Sequence, residues 1–394
     1  MYKIVTLLPK KEANVAFRHP WIFSGALASI PDDLEHGELV TVKDKNDKIL
    51  GTGTYSNKSS IAVRVLEFGD AKIDKDWFGK KLKDAAERRE VMGYGGKDTT
   101  AYRVLFGESD GVPGLVVDRY EDVIVFQIAT AGLDRLRDEI VAAIVATLKP
   151  RAVVERSDQS VRREEGLEPN VGIRFGEEID EVEYVESGVT FAANVLSGQK
   201  TGAFLDQKDL RAAIGKLADG NTVLNLFSYS GATGIAAMKG GAESVHNVDG
   251  SDDALAGCAK NAKLNKISEK HFTTENSDVF QWLDAHQDVS FDMVILDPPA
   301  LIKSMRDSEE GKKAYHFLNR AAMRIVKSGG ILVTSSCSHF LPEEDLAFIL
   351  RRASVQAGVQ LDVLNVIRQS PDHPQSVYFP EAAYLKTFIC RISR

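Results

Sequence analysis

The sequence predicts a multidomain α/β protein, and three observations carry that prediction. At 394 residues the chain is long enough for two to three domains of roughly 150 residues each. Before residue 70 it shows short runs of alternating apolar and polar residues split by Gly, Asn and Asp. After about Thr222, short apolar runs and helical patterns succeed one another regularly, which is the signature of a parallel sheet.

The first unit, residues 1–70, reads as a small β-barrel. Glu38-Leu-Val-Thr-Val alternates, Asp44 to Lys48 is a charged turn, and the pattern resumes at Ile49-Leu-Gly-Thr-Gly-Thr-Tyr and Ile61-Ala-Val-Arg-Val-Leu. The second, residues 71–186, reads as a small α+β unit. It opens on a Lys-, Arg-, Glu- and Ala-rich helix from Asp76 to Met92. From Tyr102 it runs strand, turn, strand, helix (Asp134 to Leu148), strand, with the dense turn signal Ser109-Asp-Gly-Val-Pro-Gly. Residues 187–394 read as a doubly wound domain with a mostly parallel sheet.

Composition narrows the function. Hydrophobic residues make up 43% and charged residues 27%, an ordinary globular balance that argues against disorder. No apolar run approaches the ~18–20 residues of a membrane span. Ile4 to Leu8 is too short, and too soon followed by Lys10 and Lys11, for a secretory leader. Cys258, Cys337 and Cys390 are far apart with no CxxC, so neither a disulfide framework nor a metal site is expected. The chain is expected to be cytoplasmic. A net charge of −8 disfavours broad nucleic-acid binding but leaves room for a local basic face.

The cofactor signals lie in the last unit. Thr222-Val-Leu-Asn-Leu-Phe is a strand, Ser228-Tyr229-Ser-Gly231-Ala-Thr-Gly234 a turn, and a helix follows. Gly231 and Gly234 are expected to admit both the ligand and a close helix, and Ser228 and Tyr229 to offer backbone groups. Asp249 ends the next strand, where an acid can take both ribose hydroxyls, and Ser251 joins the same set. Asp278 ends the third and is placed to meet an adenine amino group. There is neither GxGxxG nor a P-loop, so a pyrophosphate has no cradle. A ligand with an adenosine and no phosphates, S-adenosylmethionine, suits these residues. Ordinary strand-end turns with solvated acids are the bland alternative.

The chemical signals follow. Phe291 to Leu296 is a buried strand running into Asp297-Pro298-Pro299-Ala300, and the prolines hold carbonyls rigid for contact with a planar base. Ala300 stands where amino-group methyltransferases carry a stacking aromatic. The next strand ends in Ser336-Cys337-Ser338-His339, beside Asp297 if consecutive βαβ strands are neighbours. A thiolate and an acid next to a methyl donor suit methylation of carbon 5 of cytosine: Cys337 adds to carbon 6 while Asp297 protonates the ring nitrogen. Cys258 and Cys390 read as buried packing residues.

The chain resembles the RlmI-type bacterial large-subunit ribosomal RNA 5-methylcytosine methyltransferases over nearly its whole length. The likeness rests on Gly37-Glu-Leu-Val-Thr-Val, Gly51-Thr-Gly-Thr-Tyr and Ser60-Ile-Ala-Val-Arg. It continues through Glu108-Ser-Asp-Gly-Val-Pro-Gly, Lys200-Thr-Gly-Ala-Phe-Leu-Asp-Gln-Lys, Asp297-Pro-Pro, Ser336-Cys-Ser, Asp372-His-Pro and Phe379-Pro-Glu-Ala-Ala-Tyr-Leu-Lys. The resemblance implies a PUA-like RNA-binding barrel and a Rossmann-like class I methyltransferase domain. It implies S-adenosylmethionine as cofactor and ribosomal RNA as partner, in a monomer or homodimer. It also implies that Lys200, Thr201, Phe204, Asp206 and Gln207 form a loop closing on the cofactor, and that Pro298, Pro299 and His373 meet the substrate. Two departures stand out: Ala300 replaces a frequent Lys, and no second cysteine lies near Asp297, which leaves His339 and His373 as candidates to assist release. RNA contacts are expected from Lys58, Arg64, Lys80, Lys81, Lys83, Arg88 and Arg89 with Tyr55, Trp77 and Phe78, the bland alternatives being a solvated helix face laced with acids and core packing of Trp77 and Phe78. A nitrogen methyltransferase on the same Asp-Pro-Pro scaffold, or a non-catalytic RNA-binding ribosome-assembly protein, are the alternatives.

Overall fold

A computed structural model describes residues 2–394. The elements are, in order, β1 (Lys3–Leu7), α1 (Ala13–Ala16), β2 (Trp21–Phe23), β3 (Leu27–Ser29), β4 (Leu39–Lys43), β5 (Ile49–Tyr55), β6 (Ile61–Phe68), α2 (Lys75–Val91), β7 (Ala101–Phe106), β8 (Leu115–Tyr120), β9 (Val123–Ile128), α3 (Ala131–Arg135), α4 (Arg137–Leu148), β10 (Ala152–Ser157), β11 (Asn170–Gly176), β12 (Glu181–Glu186) and β13 (Val189–Asn194). The doubly wound part follows with α5 (Lys208–Leu217), β14 (Thr222–Leu226), α6 (Ala232–Lys239), β15 (Ser244–Asp249), α7 (Asp252–Leu264), β16 (Phe272–Asn276), α8 (Val279–Ala285), β17 (Phe291–Leu296), α9 (Ser308–Ile325), β18 (Val326–Ser336), α10 (Glu343–Ala357), β19 (Gln360–Arg368) and β20 (Lys386–Ser393).

These elements form two compact units. One holds residues Met1–Val185, Ala193–Leu205 and Pro371–Ala382; the other holds Glu186–Ala192, Asp206–Ser370 and Ala383–Arg394. The first contains a six-stranded sheet in the order β2-β6-β5-β4-β1-β3. Its outer strands β2 and β3 are consecutive in the chain, joined only by the 3-10 turn Ser24–Ala26. Three residues reach about 10 Å, whereas six flat strands would hold their edges roughly 24 Å apart. The sheet therefore curls round on itself, as the alternating sequence predicts. Val5, Val40, Val42, Val63 and Val65 fill its interior.

A second sheet of the same unit, β11-β10-β9-β8-β7, packs with α2 and α4 around a separate core that includes Phe78, Leu82, Phe126, Ile140 and Ile144. The predicted helix from Asp134 is two pieces, α3 and α4, and the stretch before it holds one strand more than the sequence pattern revealed. Val123–Ile128 is buried at every position, so it lacks the alternation that would have marked it. Buried ion pairs brace this unit: Arg89 meets Asp110 through two bonds of 2.9 and 2.6 Å, and Arg103 meets Asp118 through two of 2.8 Å.

The second unit is a seven-stranded sheet in the order β16-β15-β14-β17-β18-β20-β19. The strands from β16 to β18 are parallel, and β20 runs antiparallel between β18 and β19. Strand order reverses at β14, where the chain leaves for β15 on one side and later returns as β17 on the other. In open α/β sheets the crevice beyond the strand carboxyl ends at such a reversal is the ligand site. The core is apolar on both faces of the sheet, from Leu224, Val294 and Leu332 to Trp282, Leu318 and Leu346.

Asp292 ties the opposite, amino ends of three strands together. It accepts from the Thr222 amide at 3.0 Å and hydroxyl at 2.6 Å on β14, and from Lys327 of β18 at 2.9 Å. Burial raises its pKa, but the Thr222 and Lys327 hydrogen bonds outweigh it and bring the carboxyl down to about 2. Because the folded pKa lies below the unfolded value, the stabilisation is complete above about pH 4 and disappears as pH falls through about 2. Asp292→Asn should cost about 1–2 kcal/mol in urea unfolding at pH 7, with a gap to the parent chain that narrows as the pH is lowered below 4.

Candidate active site

Each strand of the parallel part delivers one predicted residue to the carboxyl edge. The turn Phe227–Gly231 follows β14, Asp249 ends β15, Asp278 follows β16, Asp297 follows β17 and Cys337 follows β18. In the register between β17 and β18, Leu296 is opposite Thr334, so Asp297 comes level with Ser335 and β18 runs on through Ser336 before Cys337 leaves the same edge.

The turn after β14 is strained. Phe227 and Tyr229 have positive φ values of 58° and 47°, beside Gly231 at 73°, a conformation that costs a non-glycine residue about 1 kcal/mol or more. Asp249 holds it: one carboxylate oxygen accepts from the Tyr229 amide at 2.8 Å and the other from the Ser251 amide at 3.0 Å. The two glycines are required by packing. A Cβ on Gly231 would lie 2.2 Å from the sulfur of Cys258 on α7, and one on Gly234 would lie 2.6 Å from Asn247 on β15. Helix α6 can reach the sheet only without them.

Ser228 is buried, and its hydroxyl has no hydrogen-bond partner among the described residues. An orphaned donor in a strained turn, one residue from the amide that Asp249 holds, fits a polar ligand group. Ser251 and Asp278 are exposed helix caps, accepting from Ala254 at 3.3 Å and Gln281 at 3.0 Å. Capping accounts for their place in the chain, and their carboxylate or hydroxyl lies at the same sheet edge. Together these residues fit an adenosine-bearing methyl donor.

On the other side of the reversal, Gln207 donates to Asp297 at 2.7 Å from the turn before α5. Pro298 is buried and Pro299 exposed. Asp206 is buried and accepts from the Tyr384 hydroxyl at 2.5 Å, while its carbonyl accepts from Ser370. Cys337 is the one cysteine of the three that is not buried. Burial pushes the Cys258 and Cys390 thiols up to about 12, in keeping with packing roles.

Two neighbours fix Cys337. Ser336 donates to the Tyr315 hydroxyl at 2.9 Å, and Ser338 lies 3.0 Å from the same hydroxyl on α9. Ser338 also accepts from the Ile302 amide in the loop after Asp297, and Lys386 of β20 donates to its carbonyl at 2.6 Å. Tyr315, Tyr384 and Lys386 escaped the sequence reading as site residues. The last two sit in the terminal run Phe379-Pro-Glu-Ala-Ala-Tyr-Leu-Lys, which was noticed only as a likeness.

Several expected residues lie in the first unit. Thr201 is wholly buried and donates to Asp118 at 2.7 Å, with the Tyr120 hydroxyl 3.0 Å away, so its side chain braces the fold. Lys200 sets its ammonium 4.4 Å from the centre of the Phe204 ring. His373 is 2% exposed, with Nδ1 3.0 Å from the Asp372 carboxylate. Of the cations expected on the basic helix, Lys80, Lys83 and Arg88 are exposed, while the others are covered or paired. Arg89 is buried on Asp110, Arg88 also meets Asp110, Lys81 meets Glu67, Arg64 meets Glu165, and Tyr55 and Phe78 belong to the cores. The exposed aromatics are others: Phe17, Phe23, and Tyr378 with the Arg18 guanidinium 5.9 Å from its ring centre.

Family models agree with this architecture. The PUA-like domain matches residues 5–68, and the S-adenosylmethionine-dependent methyltransferase matches residues 159–391. The chain is thus a methyltransferase that uses S-adenosylmethionine and carries a PUA-like domain. It belongs to the ribosomal RNA large subunit methyltransferase I family. Proteins of that name are 38% identical over 98% of this chain and 99% of their own in Pseudoalteromonas atlantica, and 37% over the full length of both in Vibrio vulnificus. Among solved structures, a protein from Streptococcus mutans described as a SAM-dependent methyltransferase shares the fold at TM-score 0.84 and 22% identity, covering 98% of this chain and 99% of that one. A methyltransferase complexed with S-adenosylhomocysteine does so at 0.85 and 23%, covering 99% and 100%. Among the described residues no helix is long and apolar enough to cross a membrane, and no cluster suited to a metal ion is present.

Gly231→Ala forces a Cβ against Cys258 in a left-handed turn. It should lower the melting temperature by several degrees, an effect of about 2 kcal/mol. It should also weaken S-adenosylhomocysteine binding at least tenfold in calorimetry; unchanged affinity would separate the turn from the cofactor.

Proposed function

We propose that the chain methylates carbon 5 of a cytosine in large-subunit ribosomal RNA through a covalent bond from Cys337 to carbon 6. The observation that supports this reading most directly is the juxtaposition of Asp297 and Cys337, each the first residue after neighbouring parallel strands, at the edge where the strained turn and Asp249 also lie. The curated relatives are named for large-subunit ribosomal RNA, and the PUA-like domain suits an RNA substrate. We assign RNA contacts to the exposed Phe17, Phe23 and Tyr378 with Arg18, because bases stack on such side chains.

S-adenosylmethionine supplies an electrophilic methyl group when bound. Ser228, the Tyr229 turn, Asp249, Ser251 and Asp278 would hold its methionine and adenosine parts. Asp297, positioned by Gln207, donates a proton to ring nitrogen 3 as the Cys337 thiolate bonds to carbon 6. The former double bond then makes carbon 5 nucleophilic, and carbon 5 takes the methyl. A base removes the carbon-5 proton, the electrons of that bond re-form the ring double bond, the carbon–sulfur bond breaks, and nitrogen 3 returns its proton to Asp297. His339, exposed two residues past Cys337, is the candidate for that base, since His373 is committed to Asp372. Pro298 and Pro299 hold the backbone beside Asp297 rigid for contact with the base.

The test uses ribosomal RNA from cells lacking the protein, both naked and as ribosomal particles, with methyl-labelled S-adenosylmethionine. Label should appear in 5-methylcytidine. Cys337→Ala should reduce it at least a thousandfold, because the carbon-5 reaction has no other route to an activated ring. Label in a guanosine or adenosine derivative would point to the nitrogen methyltransferase reading.

A further inference from the structure

We propose that Lys386 is a positioning residue for Cys337, a buried ammonium on the adjacent strand that fixes the loop carrying the thiol and stabilises its thiolate. The proposal rests on the reading of Cys337 as the nucleophile. Lys386 opens β20 directly opposite Ser336, the residue before Cys337. It is 7% exposed, and lysine is rarely buried without a task or a partner. Two of its three N–H donors go to main-chain carbonyls, Ser338 at 2.6 Å and Tyr384 at 3.1 Å. Neither is an anion, so no acid neutralises the charge through those bonds. The third donor and the positive charge can serve a thiolate on the residue between Ser336 and Ser338.

The charges around this pair are few. Cys337 and Glu343 interact with Lys386 electrostatically, and Glu343 is shared with Arg368 at 2.7 Å, the β19 residue paired in register with Lys386. Tyr315, on the far side of the Ser-Cys-Ser turn, has its pKa raised by burial and stays neutral. Burial brings Lys386 down to about 8, with Cys337 and Glu343 pulling the other way. At neutral pH the ammonium is therefore present but poised, and loss of the thiol proton keeps it charged. The serine-flanked turn is held by Tyr315 through both serine hydroxyls and by Lys386 through the Ser338 carbonyl.

The test is the pH dependence of Cys337 alkylation by iodoacetamide in the full-length chain, followed peptide by peptide by mass spectrometry. Cys258 and Cys390 are buried and serve as slow internal references. In the parent chain the Cys337 midpoint should lie at least one pH unit below that of the same peptide in urea, expected near the ordinary thiol value of about 8.5. Lys386→Met should raise the midpoint by about one unit and slow alkylation at pH 7 about tenfold. Lys386→Arg should restore at least half of the lost rate. A parent midpoint equal to that in urea overturns the proposal whatever the variants do, so misfolding of Lys386→Met cannot mask failure. If the midpoint shift is present and Cys337→Ser still forms 5-methylcytidine at the parent rate, the lysine–thiol pairing stands and the cysteine mechanism falls.

Discussion

The Tyr315 hydroxyl takes a hydrogen bond from Ser336 and lies 3.0 Å from Ser338, on a side chain with no exposed surface. Its own helix is anchored in turn: Asn319, one turn on, donates to the Tyr315 carbonyl and accepts from Thr334 of β18. A strand that ends in a loop ordinarily frays, and a side chain on the first loop residue samples several rotamers. Here both residues flanking Cys337 are fixed to one phenol, and Ser338 reaches the Ile302 amide of the loop that carries Asp297. The two candidate chemical groups are thereby held by one hydrogen-bonded network, and preorganisation of that kind is what proximity catalysis requires.

The curled sheet, the doubly wound sheet and the strand-end placement of Asp249, Asp297 and Cys337 were legible because hydrophobic periodicity and turn chemistry act locally. Burial on both faces erased the signal for β9, where every residue is buried, and the break between α3 and α4 at Leu136 has no glycine or proline beside it to mark it. Function was harder to read wherever a side chain's partner lies far away in sequence. Nothing near Thr201 in the sequence announces that its hydroxyl donates to Asp118, 83 residues earlier. Arg88 and Arg89 looked like a basic face until Asp110 paired with both. Lys386 carried no spacing that points to Ser338, 48 residues before it. Charge composition cannot separate a solvated cation from a paired one, whereas strand-end acids are separated by topology alone.

Strain and satisfaction are distributed unevenly across the second unit. The amino ends of its central strands are tied by Asp292 to Thr222 and Lys327, with every group paired. At the carboxyl ends Phe227 and Tyr229 sit in left-handed conformations and the Ser228 hydroxyl lacks a partner. A sheet with a quiet end and a strained end stores its unmet bonding where a ligand can meet it, which is the usual economy of open α/β folds.

Strand β20 lies between β18 and β19, yet it is made after both. During synthesis β18 therefore leaves the ribosome with one edge open and β19 has no neighbour, until residues 386–393 arrive to join them. Tyr384 and Lys386, which brace Asp206 and the Ser338 carbonyl, come with that same segment. A chain that has not yet added residues 386–393 therefore lacks both the strand that joins β18 to β19 and the lysine that holds the Ser338 carbonyl.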